Sequence, residues 1–366
     1  MNEMVKPVWL PLLQRPYENL LGAKNVWDLR MANGTAVRIE RGAQGLNNCL
    51  YRVRINGDVY ACKLFITDER QRARREWTAL CSLHEAGLRL APEPVASAPD
   101  GPLPQPAVVY RWVGGESLGG QTLTTEDVCA LVTSVNQIHR TPPAAGVEPL
   151  VAWHQPESFA AYLGEIETWL CKVRAWIESH HGQASSLPSW LEDLPALFPL
   201  MVETLRLAQD AVAQTTASSA YPNPALVRVD GNLDNVVRGD DGRLYFLDWE
   251  YSGWGDPAYD LAELRWHPRA KSITAAQWAT ALAAYTPFAS DPGFAERLAV
   301  YNRLLPAWWV GRSALHLLEG AGQLTPRPRL AAIPQRMYKA VRTQLDYYLA
   351  ALDLVEPPEP EERGEE

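Results

Sequence analysis

The sequence of 366 residues is 47% hydrophobic and 21% charged, which is typical of a globular chain with room for about two domains or lobes, each with its own core. Its net charge of −9 argues against nucleic acid as the main partner, and no apolar run approaches the roughly 18 residues that a membrane helix requires. The N-terminal residues lack the charged-then-apolar layout of a signal peptide, so we expect a cytoplasmic protein without a membrane partner.

Three short strands are predicted in the segments AVRIER, CLYRVRI and VYACKLF. Asn56-Gly57, between the last two, is a strong hairpin signal, so these strands should be antiparallel neighbours. A helix is predicted from about Asp68, and a further strand, AVVYRWV, follows a proline-rich stretch. We place a lobe boundary at the glycine-rich step after this strand, so that residues 1–112 form the first lobe.

The second lobe, residues 113–355, has mainly helical periodicity. Thr124 and Asp127 have the spacing of a capping box, and apolar residues follow them at helical spacing. Residues 356–366 are rich in proline and glutamate and should be disordered. The predicted fold class is therefore α+β, with a small antiparallel sheet in the first lobe and a larger, mainly helical second lobe.

The stretch RVDGNLDNVVRGDDGRLYFLDWEY brings three oxygen-bearing side chains into one strand-loop-strand pattern: Asp230, Asn235 and Asp248. Two carboxylates and an amide oxygen are hard ligands and proton acceptors, suited to Mg²⁺ and to a substrate hydroxyl. Phosphoryl transfer needs such a set, because it depends on positioning and on neutralising the charge of the phosphates. Earlier in the chain, Lys63 in the third strand could hold phosphates, and Glu76 on the helix could hold Lys63.

Several motifs together resemble the aminoglycoside phosphotransferase and choline kinase superfamily, which has a protein-kinase-like, two-lobed fold. The resemblance runs from about Val37 to the last helix. GLNNCLYRV resembles the loop that covers the nucleotide, RREWTALCSLHEAGL the helix with the lysine-pairing glutamate, and AVVYRWVGGESL the hinge strand. RVDGNLDN matches the catalytic-loop pattern H-x-D-x-x-x-x-N at its Asp and Asn, and LDWEY resembles the metal-binding motif. The first lobe would then bind the nucleotide, and the second would carry the catalytic and acceptor sites.

This resemblance implies the roles of particular residues. Asp230 would be the catalytic base, and Asn235 and Asp248 would hold Mg²⁺. Residues of the first lobe would bind the cofactor ATP: Gly45, Asn48, Lys63, Glu76, Val109, Tyr110 and Trp112. Asp260, in GDPAYDLAEL, would be a buried structural carboxylate that braces the catalytic loop.

One residue departs from the pattern of the family: Arg228 stands where the family usually has a histidine at the head of the catalytic loop. The resemblance gives that histidine a bracing role without contact to the transferred phosphate, so we assign Arg228 a structural role. A catalytically silent, nucleotide-binding pseudokinase is the alternative function.

The acceptor pocket is predicted from aromatic and acidic residues in or after the catalytic region, because aromatic faces beside a carboxylate bind ammonium groups by cation-π attraction. The candidates are Asp234, Glu250, Tyr251, Trp254, Trp266, Trp308 and Trp309. For Trp308 and Trp309 a place in the hydrophobic core is the alternative, since aromatic residues at helical spacing usually pack there. DWEY resembles choline kinases more than typical aminoglycoside kinases. We therefore predict a kinase that phosphorylates a hydroxyl of an amino-alcohol or aminoglycoside-like small molecule.

Other motifs suggest functions that their context disfavours. GESLG matches the nucleophile elbow of serine hydrolases at Ser117, with His267 or His316 as partner, but an elbow needs a parallel sheet before it and a helix directly after it. The five cysteines and seven histidines are scattered, so neither disulfides nor a zinc site is expected, and His139 is interpreted as structural. Most of the arginines of ERQRARREW are interpreted as a solvated helix face.

Overall fold

The computed structural model describes most of the chain, namely residues 26–30, 34–44, 48–98, 105–154, 157–180, 188–216, 218–322, 324 and 335–350. Gly45 and the acidic segment 356–366 lie outside these ranges, so the expectations for them stay predictions. The described residues form two compact units, of which one spans 26–154 and 221–294 and the other spans 157–220 and 295–350. The lobe boundary between residues 112 and 113 likewise stays a prediction.

All strands of the described residues belong to the first unit. They are β1 Val26–Arg30, β2 Ala36–Gln44, β3 Asn48–Ile55, β4 Asp58–Phe65, β5 Pro94–Ala98, β6 Ala107–Arg111, β7 Gly115–Ser117, β8 Ala225–Val227, β9 Val236–Gly239, β10 Leu244–Phe246 and β11 Gly253–Gly255. Six of them form one antiparallel sheet in the order β1-β2-β3-β4-β6-β5, three form a sheet in the order β10-β9-β7, and β11 pairs with β8. These pairings confirm the predicted antiparallel sheet.

The hairpin between β3 and β4 turns at Asn56 and Gly57, as predicted. Both residues have positive φ, 51° and 91°, which the favoured two-residue hairpin turn requires. The resulting register places Lys63 of β4 beside Leu50 of β3 and Val108 of β6. Lys63 therefore lies on a central strand of the sheet.

The sheet extends beyond the predicted strands at both edges, with β1 at one edge and β5 at the other. β5 begins at Pro94, inside the proline-rich stretch that shows no strand pattern in the sequence. An edge strand tolerates proline because one side of its backbone needs no ladder partner. Ala96 and Ala98 of β5 are nonetheless buried in the core of the sheet.

Helices occur in both units of the described chain. They are α1 Arg72–Glu85, α2 Thr125–His139, α3 Phe159–Ser179, α4 Ser189–Glu192, α5 Leu194–Gln214, α6 Pro257–Trp266, α7 Ala275–Leu282, α8 Phe294–Gly320 and α9 Gln335–Ala350. α1 begins about one turn later than predicted, because Gln71 has a φ of 52° and cannot belong to a right-handed helix. Its buried residues include Glu76, Leu80 and Leu83, whose spacing places them on one face of the helix.

The start of α2 follows the predicted capping box. The Thr124 hydroxyl accepts the backbone N–H of Asp127 at 3.2 Å, and the Asp127 carboxylate accepts the backbone N–H of Thr124 at 3.0 Å. None of the helices in the described ranges is long and apolar enough to cross a membrane.

The regular secondary structure among the described residues of the second unit is helical, and it consists of α3, α4, α5, α9 and most of α8. Trp169 and Trp176 of α3 are both buried.

The polar stretch of interest lies in the first unit, between β8 and β11. The chain leaves β8 through a loop and a single 3-10 turn, Leu233–Asn235, and then forms the hairpin of β9 and β10. After β10 it passes through a short loop to β11 and on to α6. The hairpin therefore stands between the segment of Asp230 and that of Asp248.

Candidate active site

The chain turns sharply at Val229, whose φ of 56° is rare for a β-branched residue. The side chain of Asp260, in the first turn of α6, holds this turn: its Oδ1 accepts the backbone N–H of Arg228 at 3.1 Å and that of Val229 at 2.7 Å. The other oxygen, Oδ2, lies 3.0 Å from Nε2 of His139, at the end of α2. Asp260 thus ties the loop that precedes Asp230 to two helices.

The carboxylate of Asp230 is fixed by two hydrogen bonds. Oδ1 accepts the backbone N–H of Asn232 at 3.1 Å, and Oδ2 accepts Nδ2 of Asn235 at 2.8 Å. Burial raises the pKa of Asp230, and the guanidinium of Arg228, whose Nη1 lies 3.7 Å from Oδ2, opposes this rise. The next residue, Gly231, packs so closely on α6 that a Cβ would lie 2.4 Å from a backbone oxygen of the helix. Only glycine fits there.

Asp248 follows β10 and also has a positive φ, 59°. Its Oδ1 lies 2.5 Å from Nζ of Lys63 on β4. The residue before it, Leu247, donates its backbone N–H to the backbone oxygen of Asn235 at 2.7 Å. The two predicted metal ligands, Asn235 and Asp248, therefore stand on directly bonded segments.

Lys63 contacts a second carboxylate, because its Nζ also lies 2.6 Å from Oε2 of Glu76 on α1. Both side chains are almost fully buried, 5% and 1% exposed. Burial alone would lower the pKa of Lys63, but the carboxylates of Asp248 and Glu76 outweigh it and hold that pKa well above its usual value. Lys63 is therefore a fixed positive charge between a helix and the loop of Asp248.

The oxygen donors beside Lys63 fit Mg²⁺. Asn235 uses its amide nitrogen to bind Asp230, which leaves its amide oxygen as the atom able to bind a cation. Asp248 offers a carboxylate whose side chain is 28% exposed. The residues that the structure describes contain no cluster of three or more His, Cys, Asp or Glu suited to a metal. Mg²⁺ does not require one, since one or two carboxylates commonly hold it together with substrate phosphates.

The other residues predicted to bind the nucleotide lie at the start of β3 and along β6. Val109 and Tyr110 are buried in β6, and Trp112 follows them half-buried. Asn48 begins β3, and its Nδ2 donates to Oε2 of Glu250 at 3.2 Å. Contact of these residues with a nucleotide stays a prediction.

Two of the predicted acceptor ligands already have charged partners. Glu250 is 2% exposed and forms a close ion pair with Arg72. Oδ2 of Asp234 lies 2.9 Å from Nε of Arg269. A buried carboxylate that is paired in this way has no free charge to offer an ammonium group, which argues against Glu250 as an acceptor ligand.

The aromatic candidates lie in three regions: the loop after Asp248 (Tyr251), buried positions of β11 and α6 (Trp254 and Trp266), and α8 in the second unit (Trp308 and Trp309). Trp308 stacks on Tyr162, and Trp309 stacks on Tyr348, all within the second unit. This stacking fits the alternative of core packing, and a role of these residues in acceptor binding stays a prediction.

The interpretation of the arginine run as a solvated face is wrong for Arg72 and Arg75. Arg72 is buried, and Nη1 of Arg75 donates to the backbone oxygens of Val151 at 2.5 Å and Ser252 at 3.0 Å. Burial lowers the pKa of Arg75 to about 10. Helical periodicity could not reveal these contacts, because the partners lie far along the chain, 178 residues away in the case of Arg72 and Glu250.

A histidine that no pattern linked to Asp230 lies beside it. His267 follows α6, and its Nδ1 accepts the backbone N–H of Arg269 at 3.2 Å, which places the proton of a neutral ring on Nε2. Nε2 lies 3.9 Å from Oδ1 of Asp230. Burial, together with the charges of Arg228 and Arg269, lowers the pKa of His267 to about 3, so the ring is neutral.

Ser117 of the GESLG motif has a structural environment. Its hydroxyl lies 3.0 Å from the backbone oxygen of Asp234 and 3.2 Å from that of Leu233, and it accepts the backbone N–H of Gly119 at 3.0 Å. β7, which ends at Ser117, is antiparallel to β9. The strand is therefore not the parallel strand that a nucleophile elbow requires.

Known structures share this fold, although no curated protein matches the chain. A spectinomycin phosphotransferase in complex with ADP and spectinomycin is 12% identical, with a TM-score of 0.61 over 87% of this chain and 93% of its own. A choline kinase from Streptococcus pneumoniae is 16% identical, with a TM-score of 0.52 over 94% and 99%. An aminoglycoside phosphotransferase from Alicyclobacillus acidocaldarius is 15% identical, with a TM-score of 0.53 over 86% and 91%.

At these identities the likeness shows the fold, and it confirms the predicted protein-kinase-like class. The sequence itself provides the family, because residues 38–299 match the family described as phosphotransferase enzyme family. Since that match covers well over half of the chain, and the motifs around Asp230 and Asp248 resemble the same superfamily, the chain belongs to the phosphotransferase enzyme family.

Proposed function

We propose that this phosphotransferase is an ATP-dependent small-molecule kinase, which transfers the γ-phosphate to a hydroxyl of an amino-alcohol or aminoglycoside-like acceptor. The observation that carries the proposal is a series of contacts in the first unit that runs from Glu76 through Lys63 to Asp248, and from the adjacent residue Leu247 through Asn235 to Asp230. This series joins a phosphate-binding charge to a proton acceptor.

The donor side of the proposed site consists of Lys63 and Asp248. Lys63 binds the donor phosphates with its ammonium group, and Glu76 keeps that group in place. Phosphoryl transfer depends mostly on positioning and on neutralising phosphate charge, and Mg²⁺ held by Asp248 and Asn235 would supply further positive charge for this purpose. Asn48, Val109, Tyr110 and Trp112 are proposed to complete the nucleotide site.

The acceptor side consists of Asp230 and the residues that orient it. As the acceptor oxygen forms its bond to the γ-phosphorus, the bond from that phosphorus to the bridging oxygen of ADP breaks, and Asp230 takes the proton of the hydroxyl. The raised pKa of Asp230 makes it a stronger base than an exposed carboxylate. The hydrogen bond from Asn235 fixes the direction of the carboxylate.

The acceptor class is supported by proteins of the same fold that are named for spectinomycin and for choline. Because Glu250 is already paired, recognition of an ammonium group would depend on aromatic faces, for which the candidates are Tyr251, Trp254 and Trp266 in the first unit or Trp308 and Trp309 in the second.

The test is acceptor-dependent ADP release from ATP and Mg²⁺, with choline, ethanolamine, spectinomycin and other aminoglycosides as acceptors and Asp230→Asn as the control. We expect release with at least one cationic alcohol and its loss in the variant. The uncharged carbon isostere of choline should show a kcat/KM lower by roughly 5- to 30-fold, the worth of one cation-π contact. Equal turnover of the isostere would rule out ammonium recognition by aromatic faces. If none of the acceptors caused ADP release, the kinase function would be contradicted.

Arg228 favours a second candidate, a pseudokinase that binds nucleotide without transferring phosphate. Its guanidinium stands 3.7 Å from Asp230, where the family pattern has a histidine. A comparison of the natural chain with Arg228→His distinguishes the kinase from the pseudokinase. If the natural chain binds ATP with Mg²⁺ but phosphorylates no acceptor, and Arg228→His gains activity, the natural protein is the pseudokinase.

A further inference from the structure

A pair of buried charges that the proposed chemistry does not use lies beside Asp248. Arg72, the first residue of α1, is 3% exposed, and Glu250, two residues after Asp248, is 2% exposed. Their side chains form a close ion pair. Nε of Arg72 also donates to Oδ2 of Asp68 at 2.9 Å, and Glu250 accepts Nδ2 of Asn48 at 3.2 Å. Both members of the pair therefore have two partners.

This pair joins the same helix and the same loop as the contacts of Lys63 with Glu76 and Asp248. Arg72 and Glu76 are four residues apart in α1, so their side chains leave the same face of the helix. Asp248 and Glu250 belong to one short loop. The helix is thus bonded to the loop twice, directly by Arg72 and Glu250, and indirectly by Lys63 between its two carboxylates.

Two more arginines, Arg70 in the segment just before α1 and Arg75 in α1 itself, bond to the same loop. Nη1 of Arg70 donates to the hydroxyl of Tyr251 at 3.2 Å. Nη1 of Arg75 donates to the backbone oxygen of Ser252 at 3.0 Å, and Oγ of Ser252 lies 3.4 Å from the backbone oxygen of Arg75. We call Arg70, Arg72 and Arg75, together with their partners at residues 250–252, the arginine clamp.

We propose that Arg72 and Glu250 are positioning residues of the phosphotransfer reaction. The arginine clamp fixes α1 against the loop of Asp248, and it thereby sets where Lys63 and Asp248 meet the donor phosphates. This inference rests on the proposed function and assigns a purpose to the arginine run.

A buried ion pair affects the position of the groups around it more than it affects stability. A buried ion pair adds little net stability compared with an apolar pair of the same size, because desolvation of both charges offsets their attraction. It does supply direction, since a guanidinium fork and a carboxylate bind in few geometries. A displacement of about 1 Å at reacting groups can lower turnover about 100-fold. Stability and turnover should therefore respond differently to substitution of the pair.

The test compares Arg72→Met, Glu250→Gln and the double variant, with Arg74→Met as the matched control. Arg74 belongs to the same arginine run, but its side chain is 40% exposed and pairs with an exposed Glu148. The measurements are kcat, the KM values for ATP and acceptor, the melting temperature, and the Kd of ADP in the presence of EDTA. The last two need neither turnover nor metal, and the Kd reports on Lys63.

Each single variant should lower kcat about 10- to 100-fold, weaken ADP binding and leave the acceptor KM within about 2-fold. The melting temperature should fall in the single variants, because one charge is left buried without its partner, and should recover in the double variant. The kcat and the affinity for ADP should not recover. Arg72→Lys keeps the charge without the fork, so it should retain the melting temperature and lose part of kcat. Arg74→Met should match the natural chain throughout.

A double variant with natural kcat and natural affinity for ADP would overturn the proposal. Loss of activity in Glu250→Gln with none in Arg72→Met or Arg72→Lys would also overturn it, since Glu250 would then act at the donor directly. If Arg72→Met and Glu250→Gln fail to fold, Arg72→Lys provides the test. A natural kcat and a natural affinity for ADP in Arg72→Lys would then overturn the proposal. If the natural chain phosphorylates no acceptor, the proposed function fails, while ADP affinity still decides whether the clamp positions Lys63.

Discussion

Asp230 and Asp248 are two carboxylates of one site with opposite surroundings. The carboxylate of Asp248 contacts an ammonium group, Nζ of Lys63, at 2.5 Å, and its side chain is 28% exposed. The carboxylate of Asp230 is bonded to neutral donors, the side-chain amide of Asn235 at 2.8 Å and a backbone N–H at 3.1 Å. The guanidinium of Arg228 stands 3.7 Å away from it.

The difference indicates a division of labour. A carboxylate in close contact with an ammonium group suits a site that binds phosphates and cations. A buried carboxylate with a raised pKa binds a proton more readily, which suits the acceptor side of a phosphotransfer. The hairpin of β9 and β10 separates the two, and the bond between Leu247 and Asn235 joins their segments. Substitution of one carboxylate at a time should therefore have different effects on nucleotide binding and on turnover.

Removing the charge of Asp248 should have the largest effect. Asp248→Asn suits the positive φ of 59° better than alanine would, because asparagine tolerates the left-handed region. We expect kcat/KM to fall by about 10³-fold or more, and the joint stabilisation by ATP and Mg²⁺ to disappear, because binding to the native state is what raises the melting temperature. Steady-state kinetics measure the fall in kcat/KM, and thermal unfolding with and without ATP and Mg²⁺ measures the stabilisation.

The control for this experiment is Asp240→Asn, which removes an exposed carboxylate from the turn between β9 and β10. It should retain both activity and the ligand-induced rise in melting temperature. A rise that survives in Asp248→Asn would remove Asp248 from the metal site.

Removing the charge of Asp230 should lower turnover and spare the nucleotide. Asp230→Asn cannot accept the proton of the hydroxyl, so kcat should fall by about 10²-fold or more. The affinity for ADP should stay close to that of the natural chain, since the contacts of Lys63 and Asp248 remain. Calorimetry of ADP binding beside steady-state kinetics measures the split. If both quantities fell together, the division between the two carboxylates would be incorrect.

Much of the fold, and the main residues of the site, depend on local sequence patterns and could be predicted. Asn56-Gly57 encodes its turn through two residues that accept positive φ, and the capping box of Thr124 encodes the start of α2. The spacing of Asp230, Asn235 and Asp248 places them around one hairpin, because strands and tight turns have nearly fixed lengths.

What could not be predicted depends on contacts between distant residues. The arginines at the start of α1 have the composition of a solvated face, and nothing near them in sequence shows that residues 250–252 cover them. His267 gives no signal of its position beside Asp230, because the end of α6 reaches that place through tertiary packing. β5 was hidden by the prolines around its start, because proline is tolerated in few strand positions, among them the first residue of an edge strand such as Pro94.

Arg228 offers a finer test of Asp230, by pH. Burial raises the pKa of Asp230, and the positive charge of Arg228 opposes this rise. Arg228→Met replaces the guanidinium, which lies over the ring of Phe246, with an uncharged side chain, so the pKa of Asp230 should rise further. A base must be ionised to act, so the acid limb of the profile of kcat/KM should move to higher pH, with activity recovering above it.

Two further substitutions of Arg228 serve as controls for the shift of the acid limb: one keeps the positive charge, and the other restores the histidine of the family pattern. Arg228→Lys should leave the acid limb nearly in place, and Arg228→His should retain measurable activity. An acid limb that does not move in Arg228→Met would show that Arg228 does not act on Asp230.

The smallest effect on activity is expected at Ser117, and it tests the hydrolase alternative. The Ser117 hydroxyl lies within hydrogen-bond distance of the backbone oxygens of Leu233 and Asp234 and accepts the backbone N–H of Gly119, so it braces the segment between Asp230 and Asn235. Ser117→Ala should lower the free energy of unfolding by about 1 kcal/mol and change phosphotransfer by less than about 3-fold. Ester hydrolysis should be absent from both proteins, as measured with a chromogenic ester. An esterase activity that the natural chain has and Ser117→Ala lacks would make Ser117 a nucleophile, and the kinase assignment of this loop would have to be abandoned.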